Sequence, residues 1–223
     1  HPLRTMPTAA AFLPASEARF SFQEIANGIE TRFERLATVE PGLAHSSGLV
    51  SFIKEELHPA WRSLLMECQA ASASFDRELA PAERVLSPSD FGFHNALRRN
   101  GALVFLDFEY FGWDDPAKLV SDFLLHPGMD LTVDLRRQFA EGLLERLAQD
   151  GLRQRARLAF PLFGIKWCLI LLNEFLPGSL DRRVFADPLA VPERERQTGQ
   201  LAKTRLKLQQ LLDDHAHFPY FHV

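Results

Sequence analysis

The residues with the most chemical potential lie between Val85 and Asp107, in the stretch VLSPSDFGFHNALRRNGALVFLD. Asp90 is followed five residues on by Asn95, and twelve residues later Asp107 closes the apolar run Ala102-Leu103-Val104-Phe105-Leu106. A carboxylate suits the removal of a proton from an attacking hydroxyl. An asparagine with a second aspartate offers the hard oxygen donors that hold magnesium against phosphate. Together these residue types suit phosphoryl transfer to an alcohol.

Each residue also has a plainer reading. Asp and Asn are frequent in turns, where their side chains bond the local backbone, and Asp90 alone would read as a turn cap after Ser87-Pro88-Ser89. The second aspartate, at this distance and after a hairpin, favours the catalytic assignment, because an Asp-x4-Asn loop followed by a strand ending in Asp-Phe is the order of catalytic and metal loops in kinases. His94 reads as a structural hydrogen-bonder, and Asp114 and Asp115 read as helix caps. His215, His217 and His222 do not follow a zinc-site spacing. Tyr110, Phe111 and Trp113 fit packing as well as they fit a pocket wall.

The elements that must position these groups are mostly helical. Residues 1–20 read as an irregular linking segment rich in Pro and Ala. Ser21 with Glu24 forms an N-cap signature for a helix to about Ala37, with Ile25, Ile29, Phe33 and Leu36 on one face. A second helical stretch runs from about Gly48 to Leu79, kinked or split at Pro59. The pattern then changes to short β-like pieces at Val85-Leu86, Ala96-Leu97-Arg98 and Leu103 to Leu106, with Asn100-Gly101 as a strong hairpin turn. Asp115-Pro116 opens a helix that ends near His126-Pro127-Gly128.

Leu131, Leu135, Phe139, Leu143 and Leu147 predict another helix with one buried stripe, ended by Gly151. Phe160 to Leu176 is apolar nearly all round, which predicts a buried core helix rather than a membrane span, because Pro161, Gly164, Lys166, Asn173 and Glu174 interrupt it. Pro177-Gly178 stops it, and 179–192 reads as a loop. A last helix from about Pro192 to His215 turns Leu201, Leu208, Leu211 and Leu212 inward and Lys203, Arg205 and Lys207 outward. The expected fold is mainly α with a small β-hairpin region, and the three candidate residues sit on that region.

Bulk properties bound the class. At 223 residues, 46% hydrophobic and 24% charged, the chain has ordinary globular composition. A net charge of −4 argues against a general nucleic-acid binder. Cys68 and Cys168 are too few for a disulfide framework and read as free thiols in a reducing compartment. The proline-broken N-terminus lacks a continuous apolar targeting core. The expectation is a cytoplasmic protein with no membrane and no nucleic-acid partner; the oligomeric state is not readable.

PSDFGFHNAL followed by VFLDFEYFGWDDPAKLVSDFLLHP resembles the catalytic core of the aminoglycoside phosphotransferase and choline kinase group, small-molecule kinases related to protein kinases. The likeness is strong over 85–127, moderate over the following helices including KWCLILLNEFLP, and looser over 14–80. It implies a protein-kinase-like C-terminal (catalytic) lobe: a hinge segment at 1–20, and a helical catalytic and substrate-binding lobe at 21–223 with its catalytic and metal loops at 85–115. It further implies Asp90 as the base, Asn95 and Asp107 as Mg2+ ligands, Asp122 as a buried brace for the catalytic loop, ATP as co-substrate and a small-molecule alcohol as acceptor. Pro88-Ser89 stands where the group often has His-Gly, and Glu109 where protein kinases have Gly. No glycine-rich phosphate loop, strand lysine or partner glutamate is present, and Lys54 lies in a helical pattern, so the nucleotide-binding N-terminal lobe is absent from this chain and is expected upstream of His1. The alternative is a non-catalytic kinase-like binding domain, either a pseudoenzyme or an isolated substrate lobe.

Overall fold

The computed structural model describes residues 11–39, 46–129, 131–176 and 192–217. Helix α1 (Phe22–Ala37) starts as its cap predicts. The Ser21 hydroxyl accepts the Glu24 N–H at 3.1 Å, and the Glu24 carboxylate reaches back to the Phe20 N–H at 2.7 Å. Its apolar face is buried through Phe22, Ile25, Ile29, Phe33 and Leu36.

Pro59 neither breaks nor splits the next helix. Helix α2 (Ser46–Phe52) passes through one π turn (Ile53–Leu57) into α3 (His58–Ala71). Proline has no N–H for the carbonyl one turn back, and its ring crowds that carbonyl. The wider π turn, closed by the His58 N–H on the Ile53 carbonyl, absorbs both problems. The helix ends at Ala71, not Leu79; Ser72 is already extended and its N–H closes on the Cys68 carbonyl.

Four short strands follow: β1 (Val85–Ser87), β2 (Ala96–Arg99), β3 (Ala102–Phe105) and β4 (Gly112–Asp114). Strands β2 and β3 form the expected hairpin, with Ala96 opposite Phe105, and the turn at Asn100 (φ 51°) and Gly101 (φ 80°) is left-handed at both positions. Strand β4 lies in the stretch read as irregular. It pairs antiparallel with β1, Leu86 opposite Trp113, and Pro14 lies beside Trp113 on its other side. The 11–18 segment is thus pinned rather than loose: the Ala15 N–H bonds the Trp113 carbonyl at 2.8 Å, and the Trp113 N–H bonds the Leu13 carbonyl at 3.0 Å.

Helix α4 (Pro116–Leu125) is capped by Asp115, whose carboxylate accepts the Ala117 N–H at 2.8 Å. Helix α5 (Val133–Leu147) buries Ala140 and Leu144 most deeply, while Leu135 is exposed. A stripe read at every fourth residue drifts, because 3.6 residues complete a turn. Its C-cap is Ala148 in the left-handed region (φ 43°); Gly151 instead opens α6 (Leu152–Leu171). Helix α6 thus starts eight residues before Phe160, and a short 3-10 turn (Leu172–Phe175) finishes it. By length and composition Leu152–Phe175 could span a membrane, but it is mostly buried, as befits a core helix. It packs on α4, α1, α3 and α7 (Glu193–His217). The loop read at 179–192 lies outside the described residues except at its last position, Pro192.

In α7, Leu208 and Leu211 are buried and Leu212 is exposed. Lys207 departs from the outward assignment: its ammonium turns in and donates to the Leu125 carbonyl. Cys68 and Cys168 are buried free thiols, and burial pushes both up to about 12. They are inert packing residues.

Candidate active site

Asp90 ends a tight turn that leaves β1. The Ser87 hydroxyl accepts the Ser89 N–H at 3.0 Å, and the Asp90 N–H bonds the Pro88 carbonyl at 2.9 Å, closing a three-residue turn around Ser89. Ser89 sits there at φ 64°, a conformation a residue with a Cβ seldom adopts. Such a residue persists only when its surroundings hold it. Two groups do: the Lys118 ammonium donates to the Ser89 hydroxyl oxygen at 3.0 Å, and the hydroxyl donates to the Ser16 carbonyl at 3.2 Å.

Asn95 closes the loop onto Asp90. Its side-chain amide donates to the Asp90 carbonyl at 3.0 Å and to carboxylate Oδ2 at 3.2 Å, and His94 Nε2 meets Oδ1 at 2.9 Å. The carboxylate stays 40% exposed, facing a cleft. Asp107 follows β3 on the same hairpin. The Leu106 N–H bonds the Asn95 carbonyl at 2.8 Å, extending the β2–β3 register by one pair and bringing Asp107 to the loop end that carries Asn95. Asp107 is exposed at φ 61° and has no hydrogen bond to Asp90 or Asn95 among the described residues. The structure therefore joins Asp90 and Asn95 directly and sets Asp107 beside them. Tyr110 is near all this charge: its hydroxyl pKa is held up first by a hydrogen bond to Glu109, with smaller contributions from Asp107 and Asp90.

The turn is anchored by aromatic stacking. Phe91 packs between Phe105 of the hairpin (4.7 Å between centroids) and Phe123 of α4 (5.6 Å), and Phe123 stacks on Phe139 at 3.6 Å. His94 stacks flat on His126 at 3.9 Å and 7°. Burial, then the neighbouring His94, brings His126 down to about 4, so it is neutral at pH 7. Asp90, His94 and His126 have ligand atoms within 4.8 Å of one another, but parallel stacked rings cannot both aim in-plane lone pairs at one ion. His126 Nδ1 also accepts the Gly128 N–H at 3.1 Å, which leaves its other nitrogen protonated. This trio is a positioning cluster.

The wall behind Asp90 is a cluster of buried charges, of which sequence reading named Asp122 and missed Lys118. Lys118, 1% exposed, pairs with Asp114 at 2.6 Å and Asp122 at 3.4 Å. Burial opposes its charge, but Asp122 and Asp114 outweigh it and hold the ammonium up at about 12. Burial raises the Asp114 carboxyl to about 6 despite Lys118. Burial also works against the Asp122 carboxylate, yet Lys166 and Lys118 bring its pKa below the usual range. Asp122 takes the Trp167 indole N–H at 2.9 Å and reaches the Asp90 loop through Lys118 and Ser89, with no direct bond to the loop among the described residues. Asp114 is no helix cap; its carboxylate accepts the Asp115 N–H at 2.9 Å. Arg155 of α6 grips Asp115 at 2.6 Å, tying α4 to α6.

Beside Asp90 opens a cleft of about 540 Å3, lined by Glu17, Arg32, Arg35, Lys118, Asp122, Lys166, Tyr110 and Trp167 among others. At the C-terminal end, His215 pairs with Glu67 at 2.9 Å; the side chains of His217 and His222 lie outside the described residues.

No protein-family model matches the chain, and no curated protein sequence matches it significantly. Among solved structures it is similar to a choline/ethanolamine kinase family protein from Mesorhizobium loti, with a TM-score of 0.50 and 17% identity, over 98% of this chain and 64% of that one. The chain therefore spans less than two thirds of that protein's length. The likeness carries a kinase-like fold.

Proposed function

We propose that the chain is the catalytic and acceptor-binding lobe of an ATP-dependent phosphotransferase that moves the γ-phosphoryl group to a hydroxyl of a small molecule. The observation that supports it best is the interlocked pair of Asp90 and Asn95 at the mouth of a small-ligand-sized cleft, on a fold similar to that of a choline/ethanolamine kinase family protein. Asp90 orients the acceptor hydroxyl and accepts its proton as the new O–P bond forms. His94 and Asn95 each take one oxygen of the carboxylate and leave further lone pairs free for the alcohol. The Asn95 amide nitrogen is spent on Asp90, while its oxygen has no hydrogen-bond partner among the described residues. With the exposed Asp107 carboxylate it forms a donor set of hard oxygens, which fits Mg2+. Held there by Asn95 and Asp107, Mg2+ would offset the negative charge of the nucleotide phosphates.

The test is ATP consumption by the complete gene product over a panel of amino alcohols and sugars, with Asp90→Asn as the control. Turnover is expected only with magnesium and is expected to vanish in Asp90→Asn while its unfolding transition stays in place. Retained turnover in that variant removes Asp90 from the role. No turnover at all, with no stabilisation by Mg2+ and ATP, leaves a kinase-like binding domain without chemistry.

A further inference from the structure

The charges around the cleft bear on what acceptor it takes. Helix α1 presents Gly28, Arg32 and Arg35 along one face, at the spacing that lines up residues on a helix. Arg32 and Arg35 reach the cleft beside Asp90, and Lys166 of α6 and Lys118 of α4 complete its cationic side. Arg19 lies over Gly28 at the adjoining hollow, which shares Glu17, Arg32, Arg35 and Lys166.

The carboxylates in the same wall are already engaged. Glu17 pairs with Arg32 and with Lys166 at 3.4 Å, and those two cations lower its pKa against the opposing effect of burial. Asp122 is shared by Lys118, Lys166 and Trp167. Asp90 faces the reacting hydroxyl. Among the described residues lining the cleft, no carboxylate is left to receive a cation. The Arg35 guanidinium, in contrast, is exposed and has no acidic partner among the described residues, and Arg19 bonds only its neighbouring carbonyl at Ala18. A quaternary ammonium would want an aromatic cage free of competing positive charge. Among the described residues lining the cleft only Tyr110 and Trp167 are aromatic, and the Trp167 indole N–H is committed to Asp122.

Resting on the phosphotransferase reading, we infer that the acceptor is an alcohol carrying an anionic group, such as a hydroxy acid or a sugar phosphate, with that group held by Arg35 and the outward side of Lys166. Lys166 sits 3.4 and 3.7 Å from its two carboxylates, distances that leave its ammonium able to take a stronger acceptor. The anion end binds toward α1, and the hydroxyl end reaches Asp90.

The experiment compares matched alcohols that differ in charge, using the complete gene product with Mg2+ and ATP. One series is glycerol, glycerate and 3-amino-1,2-propanediol; the other is glucose, gluconate, glucosamine and glucose 6-phosphate. The anionic members are expected to show kcat/KM about tenfold or more above their neutral and cationic counterparts, with the carboxylate and phosphate arms separating the two kinds of anion. Arg35→Gln is expected to raise KM for the anionic acceptor about tenfold with kcat nearly unchanged, and Arg35→Lys to recover part of it. The KM should also rise with ionic strength. Preference for the neutral or cationic members, or a KM indifferent to Arg35→Gln, overturns the inference while leaving phosphotransfer intact. Turnover of no member of either series removes the phosphotransferase reading, and this inference falls with it.

Discussion

The side-chain amide of Asn95 donates to Asp90 twice, to its backbone carbonyl at 3.0 Å and to its carboxylate at 3.2 Å. One NH2 group therefore sets both the path of the loop and the direction in which the carboxylate faces. His94 holds the other carboxylate oxygen. The five-residue spacing is what makes this closure possible: the 3-10 turn at Phe93–Asn95 brings the chain back over Asp90 before β2 begins.

On the phosphotransferase reading, replacing Asn95 separates orientation from metal binding. Asn95→Ala loses both and should lower turnover by about a hundredfold or more, with a stability loss of about 1 kcal/mol. Asn95→Asp keeps an oxygen for the cation but loses the NH2 and sets a like charge against Asp90. Its half-saturating Mg2+ concentration should stay close to that of the wild type while kcat falls. Steady-state rates across a Mg2+ titration distinguish the two, and unchanged kcat in Asn95→Ala excludes the orienting role.

Lys118 is buried between two carboxylates and also steadies Ser89. Lys118→Met fits the apolar stem but strands Asp114, whereas Asp122 keeps Lys166 and the Trp167 indole. Breaking a buried charge set by removing one partner costs about 3–5 kcal/mol. Removing the stranded charge as well, in Lys118→Met with Asp114→Asn, should recover a substantial part. Urea unfolding of the two single variants and the double variant reads this coupling, and simple additivity would show that the three groups act independently.

Short-range signals were the legible part of the fold. The Ser21–Glu24 cap, the Asn100-Gly101 turn and the Asp115-Pro116 helix start are each decided within four residues, and each stands where the spacing predicts. Strand β4 was not legible, because three residues carry no alternation pattern and its pairing with Val85–Ser87 spans the whole hairpin between them. Phe75 and Leu79 continue the apolar spacing of α3 after the backbone has left the helix, which made that helix read too long. Of the site, the Asp-x4-Asn loop could be read directly. Asp114, Lys118 and Asp122 recur every fourth residue, a visible signal that reading Asp114 as a cap concealed. Glu17, Arg32 and Lys166 come from three distant segments, so no local spacing joins them.

Two groups near the site give stability opposite pH dependences. His126 has its pKa brought down to about 4 from an ordinary 6.5, so between those values the unfolded chain binds more protons than the folded one. Its contribution is complete above pH 6.5 and is lost as pH falls toward 4. Asp114 is raised to about 6 from 3.8, so over that range the folded chain holds the extra proton and stability declines as pH rises. His126→Gln isolates the first effect. Urea midpoints at pH 5, 6 and 7.5 should show a penalty for this substitution that is larger at 7.5 than at 5, and a penalty independent of pH would contradict the neutral, buried histidine.

Two glycines test how the wall of the cleft is tied to the N-terminal segment. A Cβ at Gly112 would meet backbone atoms, the Leu13 carbonyl oxygen at 2.3 Å and the Ala15 nitrogen at 2.6 Å, where Pro14 runs beside β4. Backbone held by its own hydrogen bonds cannot step aside, so Gly112→Ala must push the 11–18 segment off the sheet and with it Ser16, whose carbonyl accepts the Ser89 hydroxyl. A Cβ at Gly164 would come as close as 2.2 Å, but to the side-chain carbons of Leu211, which can change rotamer. Gly164→Ala should therefore cost about 1–3 kcal/mol as ordinary overpacking and leave turnover close to wild type. Gly112→Ala should cost at least as much, make the 11–20 segment newly susceptible to proteolysis, and lower turnover by loosening Ser89 and the Asp90 turn. Limited proteolysis with mass mapping, read beside the unfolding curves, separates the two: equal protection of the 11–20 segment in both variants would show that it does not brace the Asp90 turn.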